Sequence, residues 1–180
     1  MEFMYLTHIN FKPVEGSALL DTAGKGGESL RVIDDDLDAE TLAIMRADPT
    51  RHRFIAPGSR YDPGLLLGLE LLAGPDGLAD AMQLHPTSTA DFVSYFPAQF
   101  DHAVRWISRS PDRDALGLLL PATVEPDGYL AEKAKGKVKT FPAYAEVNFS
   151  LEFGALDTQD AAALKQTIVE LLGEMNSHGR

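Results

Sequence analysis

Two residues far apart in the chain, His8 and Glu125, have side chains that can transfer a proton. His8 and Asn10 stand two positions apart in an alternating segment, so both project on one side if that segment is a strand. Glu125 follows an apolar run and precedes Pro126 and an Asp-Gly turn. Because histidine titrates near neutral pH and a carboxylate accepts protons, both are candidate catalytic residues. For each, an alternative stays open: a hydrogen-bonded polar residue on a sheet, or a solvated residue beside a turn.

The segment His102-Ala103-Val104-Arg105-Trp106 carries a second group of polar and aromatic side chains. In a strand, His102, Val104 and Trp106 share one face and Arg105 lies on the other. An indole is a common platform for a sugar, because the apolar face of the sugar ring packs on it. The alternative is that Trp106 is simply a core residue.

Composition and spacing exclude several classes of site. The chain has no cysteine, which rules out disulfides, thiolate catalysis and zinc-thiolate sites. Its histidines lack the close pairing of a compact metal site, so no metal is predicted, although a site assembled from distant strands stays open. A net charge of -11 disfavours nucleic acid and acidic membrane surfaces as partners. The N-terminus has no signal-peptide pattern and the longest apolar run is too short for a bilayer, which predicts a cytoplasmic protein.

The elements that must position these residues are mostly strands. Apolar or alternating runs bounded by turn residues predict strands at 2–11, 30–33, 65–73, 81–85, 92–96, 103–108, 115–120 and 145–153. The alternation is clearest in 145–153, and the acidic run 34–40 predicts a solvated turn and helix start. Helices are predicted at 41–47 and at about 158–175, the second capped by Asp157 or Thr158. The pattern predicts one domain, residues 1–180, with a mostly β antiparallel sandwich and a C-terminal helix.

Two segments together resemble a known family. The strand Tyr5-Leu6-Thr7-His8-Ile9-Asn10-Phe11 resembles the strand of the aldose 1-epimerases (galactose mutarotases) that ends in a His-x-x-Phe-Asn type motif. It is still more similar to the HINF version found in a divergent, deoxyribose mutarotase-like branch. A Leu-Pro-Ala-Thr…Glu-Pro-x-Gly-Tyr…Glu-Lys…Lys-Gly segment recurs in that branch, and here it occupies residues 120–136. The resemblance covers essentially the whole chain but only the C-terminal part of typical family members.

The resemblance implies the galactose mutarotase-like supersandwich and interconversion of the α and β anomers of a free aldose. In that reaction a base removes the proton of the anomeric hydroxyl while an acid protonates the ring oxygen, so that the ring opens and recloses. By resemblance His8 is the acid, a sugar is the partner and no cofactor is needed. The cleft would be lined by the candidate substrate-binding residues, which are Asn10, Glu70, His102, Arg105 and Trp106.

Two departures from the family pattern leave alternatives open. Leu120 stands where typical members have the basic glutamate, so either Glu125 has become the base or the protein binds sugar without ordinary turnover. Glu70 is another carboxylate that could serve. The N-terminal strands of typical members are missing from the match, which suggests a truncated form or a homodimer that supplies the missing wall. The alternatives to an epimerase are therefore a non-catalytic carbohydrate-binding domain or a dimerising fragment.

Overall fold

The computed structural model describes residues 1–31 and 39–178, in which strands dominate. The strands are β1 (Glu2–Phe3), β2 (Ala18–Asp21), β3 (Ala23–Arg31), β4 (Tyr61–Leu71), β5 (Ala79–Leu84), β6 (Ala90–Tyr95), β7 (His102–Ser110), β8 (Arg113–Ala122), β9 (Lys139–Thr140) and β10 (Leu151–Leu156). The helices are α1 (Ala39–Ala47), α2 (Tyr129–Ala134) and α3 (Thr158–His178), with a 3-10 helix at Pro49–Arg53.

Two antiparallel four-stranded sheets enclose the main core. The first sheet has the order β3-β4-β7-β8 and the second β10-β6-β5-β2. Strand β4 shows how the sequence builds the core, since Leu65, Leu67 and Leu69 alternate and join residues of both sheets in one buried cluster. Burial of each such leucine contributes about 2 kcal/mol. The intervening Leu66 is also buried, but in a separate cluster on the outer face of the first sheet.

The C-terminal helix α3 covers the outer face of the second sheet. Asp157 caps it, because its carboxylate accepts hydrogen bonds from the backbone N–H groups of Gln159 and Asp160 at 2.9 and 3.0 Å. Ala161 and Ile168 are buried against the sheet, as the helical spacing predicts. The predicted fold class, a mostly β antiparallel sandwich with a C-terminal helix, is confirmed.

The N-terminal segment is extended along β8, but most of it is not a strand. The prediction of one strand over 2–11 is therefore wrong in extent, since β1 ends at Phe3 and pairs with β9. Beyond it the chain meets β8 through isolated bridges at Leu6 and Phe11. The predicted alternation nevertheless holds, because Ile9 and Phe11 pack on the core whereas His8 is exposed.

The prediction of a strand over 145–153 is largely wrong. Strand β10 begins only at Leu151, and Val147 is 44% exposed. Phe149 instead stacks on Tyr5, with ring centroids 4.7 Å apart, so side chains rather than a backbone ladder hold this segment. Phe153 lies opposite Val93 in the sheet register but is 57% exposed, because β10 is the edge strand of its sheet.

The remaining predicted elements lie close to the observed ones. The apolar runs at 65–73, 81–85, 92–96, 103–108 and 115–120 correspond to β4 through β8, and the run at 41–47 lies within α1. Helix α2 was not anticipated. Residues 32–38, which include parts of the predicted strand 30–33 and of the acidic run 34–40, lie outside the described residues. None of the helices in the described ranges is long and apolar enough to cross a membrane.

Candidate functional site

A pocket of about 500 Å³ lies at one end of the first sheet. Its walls come from the end of β4, the end of β6 and the segment after it, the start of β7 and the chain that follows β8. The charged side chains and the imidazole around it are those of Glu70, Asp101, His102, Glu125 and Lys137. Three residues selected from the sequence, Glu70, His102 and Glu125, are thus brought to one cavity.

The sheet register explains why Glu70 and His102 meet. Leu69 of β4 is paired with Ala103 of β7 in an antiparallel ladder, so the next residues, Glu70 and His102, lie opposite each other. Residues opposite each other in such a ladder have Cβ atoms ~5 Å apart on the same face. Strand pairing therefore brings a carboxylate and an imidazole to the same end of the pocket.

Glu125 reaches the same pocket from the loop after β8. Its Oε2 accepts hydrogen bonds from the ammonium groups of Lys137 at 2.8 Å and Lys135 at 3.1 Å. The side chain of Glu125 is only 12% exposed. Two ammonium groups hold this carboxylate, which makes it a firmly oriented hydrogen-bond acceptor.

Three carboxylates come together beside the pocket, those of Glu125, Asp127 and Glu132, with oxygens within 4.8 Å of one another. The Lys135 ammonium contacts all three, at 2.7 Å in the case of Glu132. The hydrogen bond to Asp127, followed by those to Glu132 and Glu125, raises the pKa of Lys135. The three carboxylates are therefore balanced by the charge of a lysine and form an ion-pair network with it.

His8, Asn10 and Trp106 form a separate cluster on the outer face of the first sheet. His8 Nε2 lies 3.2 Å from Asn10 Oδ1, and the His8 ring meets the Trp106 indole edge-on with centroids 5.9 Å apart. Trp106 packs on the buried apolar cluster that includes Val104, and the Arg113 guanidinium lies 5.8 Å from its ring centre. The lining of the pocket includes His102 but not these residues, and on β7 Trp106 and His102 are ~13 Å apart along the strand.

Arg105 belongs to neither group, because it points into the core. Its guanidinium is fully buried and lies 2.9 Å from Asp21, and it donates to His52 Nδ1 at 3.3 Å and to the Leu118 carbonyl at 2.9 Å. The predicted division of β7 into two faces is therefore observed, and it directs Arg105 away from the pocket.

Lys135, Lys137 and Asp101 were not predicted as site residues. Asp101 lines the pocket and pairs with Lys139 at 2.7 Å. A usable signal was present, since lysines stand at every second position from 133 to 139, shortly after Glu125 in the sequence. That spacing alone does not distinguish a pocket wall from a solvated surface.

Comparison with solved structures shows a similar fold. The chain superimposes on a crystal structure described as "a putative aldose 1-epimerase" from Klebsiella pneumoniae subsp. pneumoniae MGH 78578, with a TM-score of 0.76 and 15% sequence identity. The match covers 95% of this chain and 43% of the Klebsiella chain, so this chain spans less than half the length of that protein. No protein-family model and no curated protein matches the sequence. The chain has the sandwich fold of that epimerase-like protein, and the deoxyribose mutarotase-like branch stays a prediction.

Proposed function

We propose that the protein binds a free aldose in the pocket and accelerates interconversion of its α and β anomers. The observation that carries this proposal is the convergence of Glu70, His102 and Glu125 on one cavity of about 500 Å³. That volume is typical of sites for small molecules, which combine a shaped cavity with a few placed polar groups. The fold shared with the Klebsiella protein supports the same reaction class by analogy.

The reaction needs one base and one acid near a single carbon. The base takes the proton of the hydroxyl on C1, the acid protonates the ring oxygen, and the bond between C1 and the ring oxygen breaks as the C1 carbonyl forms. Rotation about the bond from C1 to C2 and reclosure with the reverse proton transfers give the other anomer. Because both reacting oxygens are attached to C1, the acid and the base must approach the same point.

Glu70 and His102 satisfy this requirement best. They lie opposite each other on neighbouring strands, with side chains on one face, and both line the pocket. We assign Glu70 as the base and His102 as the acid. Glu125, held by Lys135 and Lys137, is assigned to accept a hydrogen bond from a sugar hydroxyl and orient the ring. The rival assignment has His8 as the acid, as the resemblance implies, and Glu125 as the base in place of Leu120, and the same variants test it.

A second candidate function, sugar binding without turnover, is favoured by one observation. Leu120 stands where the family resemblance places the basic glutamate, and its apolar side chain, buried with Leu66 and Val104, cannot accept a proton. Under this function the pocket binds an aldose but leaves the rate of anomer exchange at its value in buffer.

Exchange spectroscopy by NMR on a panel of aldoses distinguishes the two functions. The wild-type protein is expected to raise the rate of α–β exchange for at least one sugar, and Glu70→Gln is expected to lower kcat/KM about 100-fold, since a general base contributes on that scale. Glu152→Gln serves as the matched control, because Glu152 is an exposed carboxylate on β10 outside the pocket. Binding without a faster exchange would select the second function, and neither response to any aldose would remove both.

A further inference from the structure

We propose that Glu132 is a positioning residue, which acts on the sugar through Glu125 and Lys137. Glu132 is fully buried, whereas most of the other residues of the short helix α2 are exposed. It does not line the pocket. The inference rests on the proposed function, since it explains how the loop after β8 presents its polar groups to a sugar.

Glu132 is hydrogen-bonded to the backbones of Glu125 and Lys137, the two charged residues of this segment that line the pocket. Its Oε2 accepts a hydrogen bond from the backbone N–H of Glu125 at 3.0 Å. Its backbone carbonyl accepts one from the backbone N–H of Lys137, also at 3.0 Å. Glu132 thus fixes both ends of the segment 125–137, which contains helix α2. The two ends are Glu125 and Lys137, whose side chains meet at the pocket wall.

The second carboxylate oxygen of Glu132 fixes the lysine that orients Glu125. Oε1 receives the Lys135 ammonium at 2.7 Å, and the same ammonium reaches Glu125 Oε2 at 3.1 Å. Removing the Glu132 carboxylate would leave Lys135 anchored only by the partly exposed Glu125 and the exposed Asp127. We therefore expect the Glu125 carboxylate to lose its fixed direction.

Burial of this carboxylate is costly unless it is fully hydrogen-bonded. A charge removed from water loses its hydration, which a strong ion pair and hydrogen bonds must offset. Both carboxylate oxygens of Glu132 are bonded to groups of the pocket wall, one to the Glu125 N–H and the other to the Lys135 ammonium. The bonds that offset the burial of this carboxylate are therefore the same bonds that hold the pocket wall in place.

Two variants of Glu132 separate its hydrogen bond from its charge. Glu132→Met removes both, whereas Glu132→Gln retains an oxygen that can accept from the Glu125 N–H. We expect KM for an accepted aldose to rise about tenfold in Glu132→Met, because an oriented charged hydrogen-bond acceptor is worth about that factor. In Glu132→Gln the rise should be about threefold. The value of kcat should change by less than about twofold in both, because Glu70 and His102 remain in place.

The amide resonance of Glu125 gives a direct readout that does not require turnover. In a ¹⁵N–¹H spectrum of the full chain without sugar, it should move upfield in Glu132→Met and be largely restored in Glu132→Gln. Lys133→Met is the matched control, since Lys133 is exposed on the same helix and contacts Glu2 and Tyr129. Should Glu132→Met fail to fold by circular dichroism, Glu132→Gln and the amide shift decide the question.

The outcomes separate this inference from the proposed function. Suppose that the wild type accelerates exchange, while Glu132→Met shows an unchanged KM and an unchanged Glu125 amide resonance. That result would overturn the positioning role alone. If the wild type binds an aldose without accelerating exchange, the epimerase function is overturned. A higher dissociation constant for that aldose in Glu132→Met would then still support the positioning role. Absence of both binding and exchange in the wild type overturns both.

Discussion

The two faces of β7 carry similar side chains in opposite surroundings. On the inner face, Arg105 is fully buried and pairs with Asp21, itself fully buried, and with His52. On the outer face, His102 is half-buried at the edge of a pocket that Glu70 also lines. The charges on the inner face, called the closed face below, are therefore buried against the second sheet. Those on the outer face line a space large enough for a small molecule.

This difference shows that residue type alone does not assign a role. A buried charge such as that of Arg105 must be matched by fixed partners, here Asp21, His52 and the Leu118 carbonyl, and full burial keeps a ligand from reaching it. At the pocket, a ligand can enter beside the imidazole of His102 and the carboxylate of Glu70. Strand β7 thus supplies a structural group, Arg105, and a candidate chemical group, His102, three positions apart.

The largest expected effect concerns the closed face. Arg105→Met should lower the free energy of unfolding by about 3 kcal/mol, because it leaves the buried carboxylate of Asp21 with Arg53 as its remaining arginine partner. Urea denaturation measures this change, and Arg60→Met, at an exposed position, should stay within about 0.5 kcal/mol of the wild type. Loss of sugar affinity at unchanged stability would return Arg105 to the binding residues.

The next effect distinguishes two outer-face regions, the pocket and the His8 cluster. His102→Gln should lower kcat/KM for anomer exchange about 100-fold, as expected for removal of a general acid. His8→Gln should lower it by less than about threefold, because His8 contacts Asn10 and Trp106 and does not line the pocket. The reverse ranking, measured by NMR exchange at one pH, would make His8 the acid, as the family resemblance implies.

The smallest effect concerns the pH dependence of stability that arises from His52, which is buried beside Arg105. Burial, followed by the charges of Arg105 and Arg53, lowers the pKa of His52 to about 2. In the unfolded chain histidine has a pKa of about 6.5, so below that pH the unfolded state binds one more proton at this site than the folded state does. Stability should therefore fall on acidification from pH 6.5, by at most about 1.4 kcal/mol per pH unit from His52.

His52→Gln should flatten that slope, measured by thermal unfolding between pH 6.5 and 5. The pKa of Asp80 is raised by burial, which acts in the opposite direction but equally in both proteins, so the difference between the two slopes isolates His52. Identical slopes would show that His52 is not held neutral in the core.

Much of the fold could be predicted because its central strands have a local signature. The leucines of β4 and the run that becomes β8 are apolar, and Gly and Pro residues bound them, which is enough to define a buried strand. The segment 145–153 has the best alternation yet forms a strand only from Leu151, because pairing depends on a neighbour that alternation does not specify. Helix α2 is six residues long and has too little periodicity to be recognised.

The residues of the candidate site could be selected from the sequence by their type, but their proximity to one another could not be predicted. His102, Glu70 and Glu125 were each selectable from the sequence, and their proximity comes from the pairing of β4 with β7 and from the loop after β8. The contact of Glu132 with the Glu125 N–H depends on the turn after β8, which no spacing rule specifies, and the i,i+3 contact with Lys135 depends on a helix that the sequence did not reveal.

Local alternation specifies which residues share a face of each central strand, since side chains alternate with a period of two wherever a strand forms. Which face meets another sheet and which meets a pocket depends on how the strands pack together. The physical reason is that alternation is a local property of the backbone, whereas sheet order and register arise from contacts between residues far apart in the chain. For this protein that difference separates the ion pair of Arg105 from the proposed chemistry of His102.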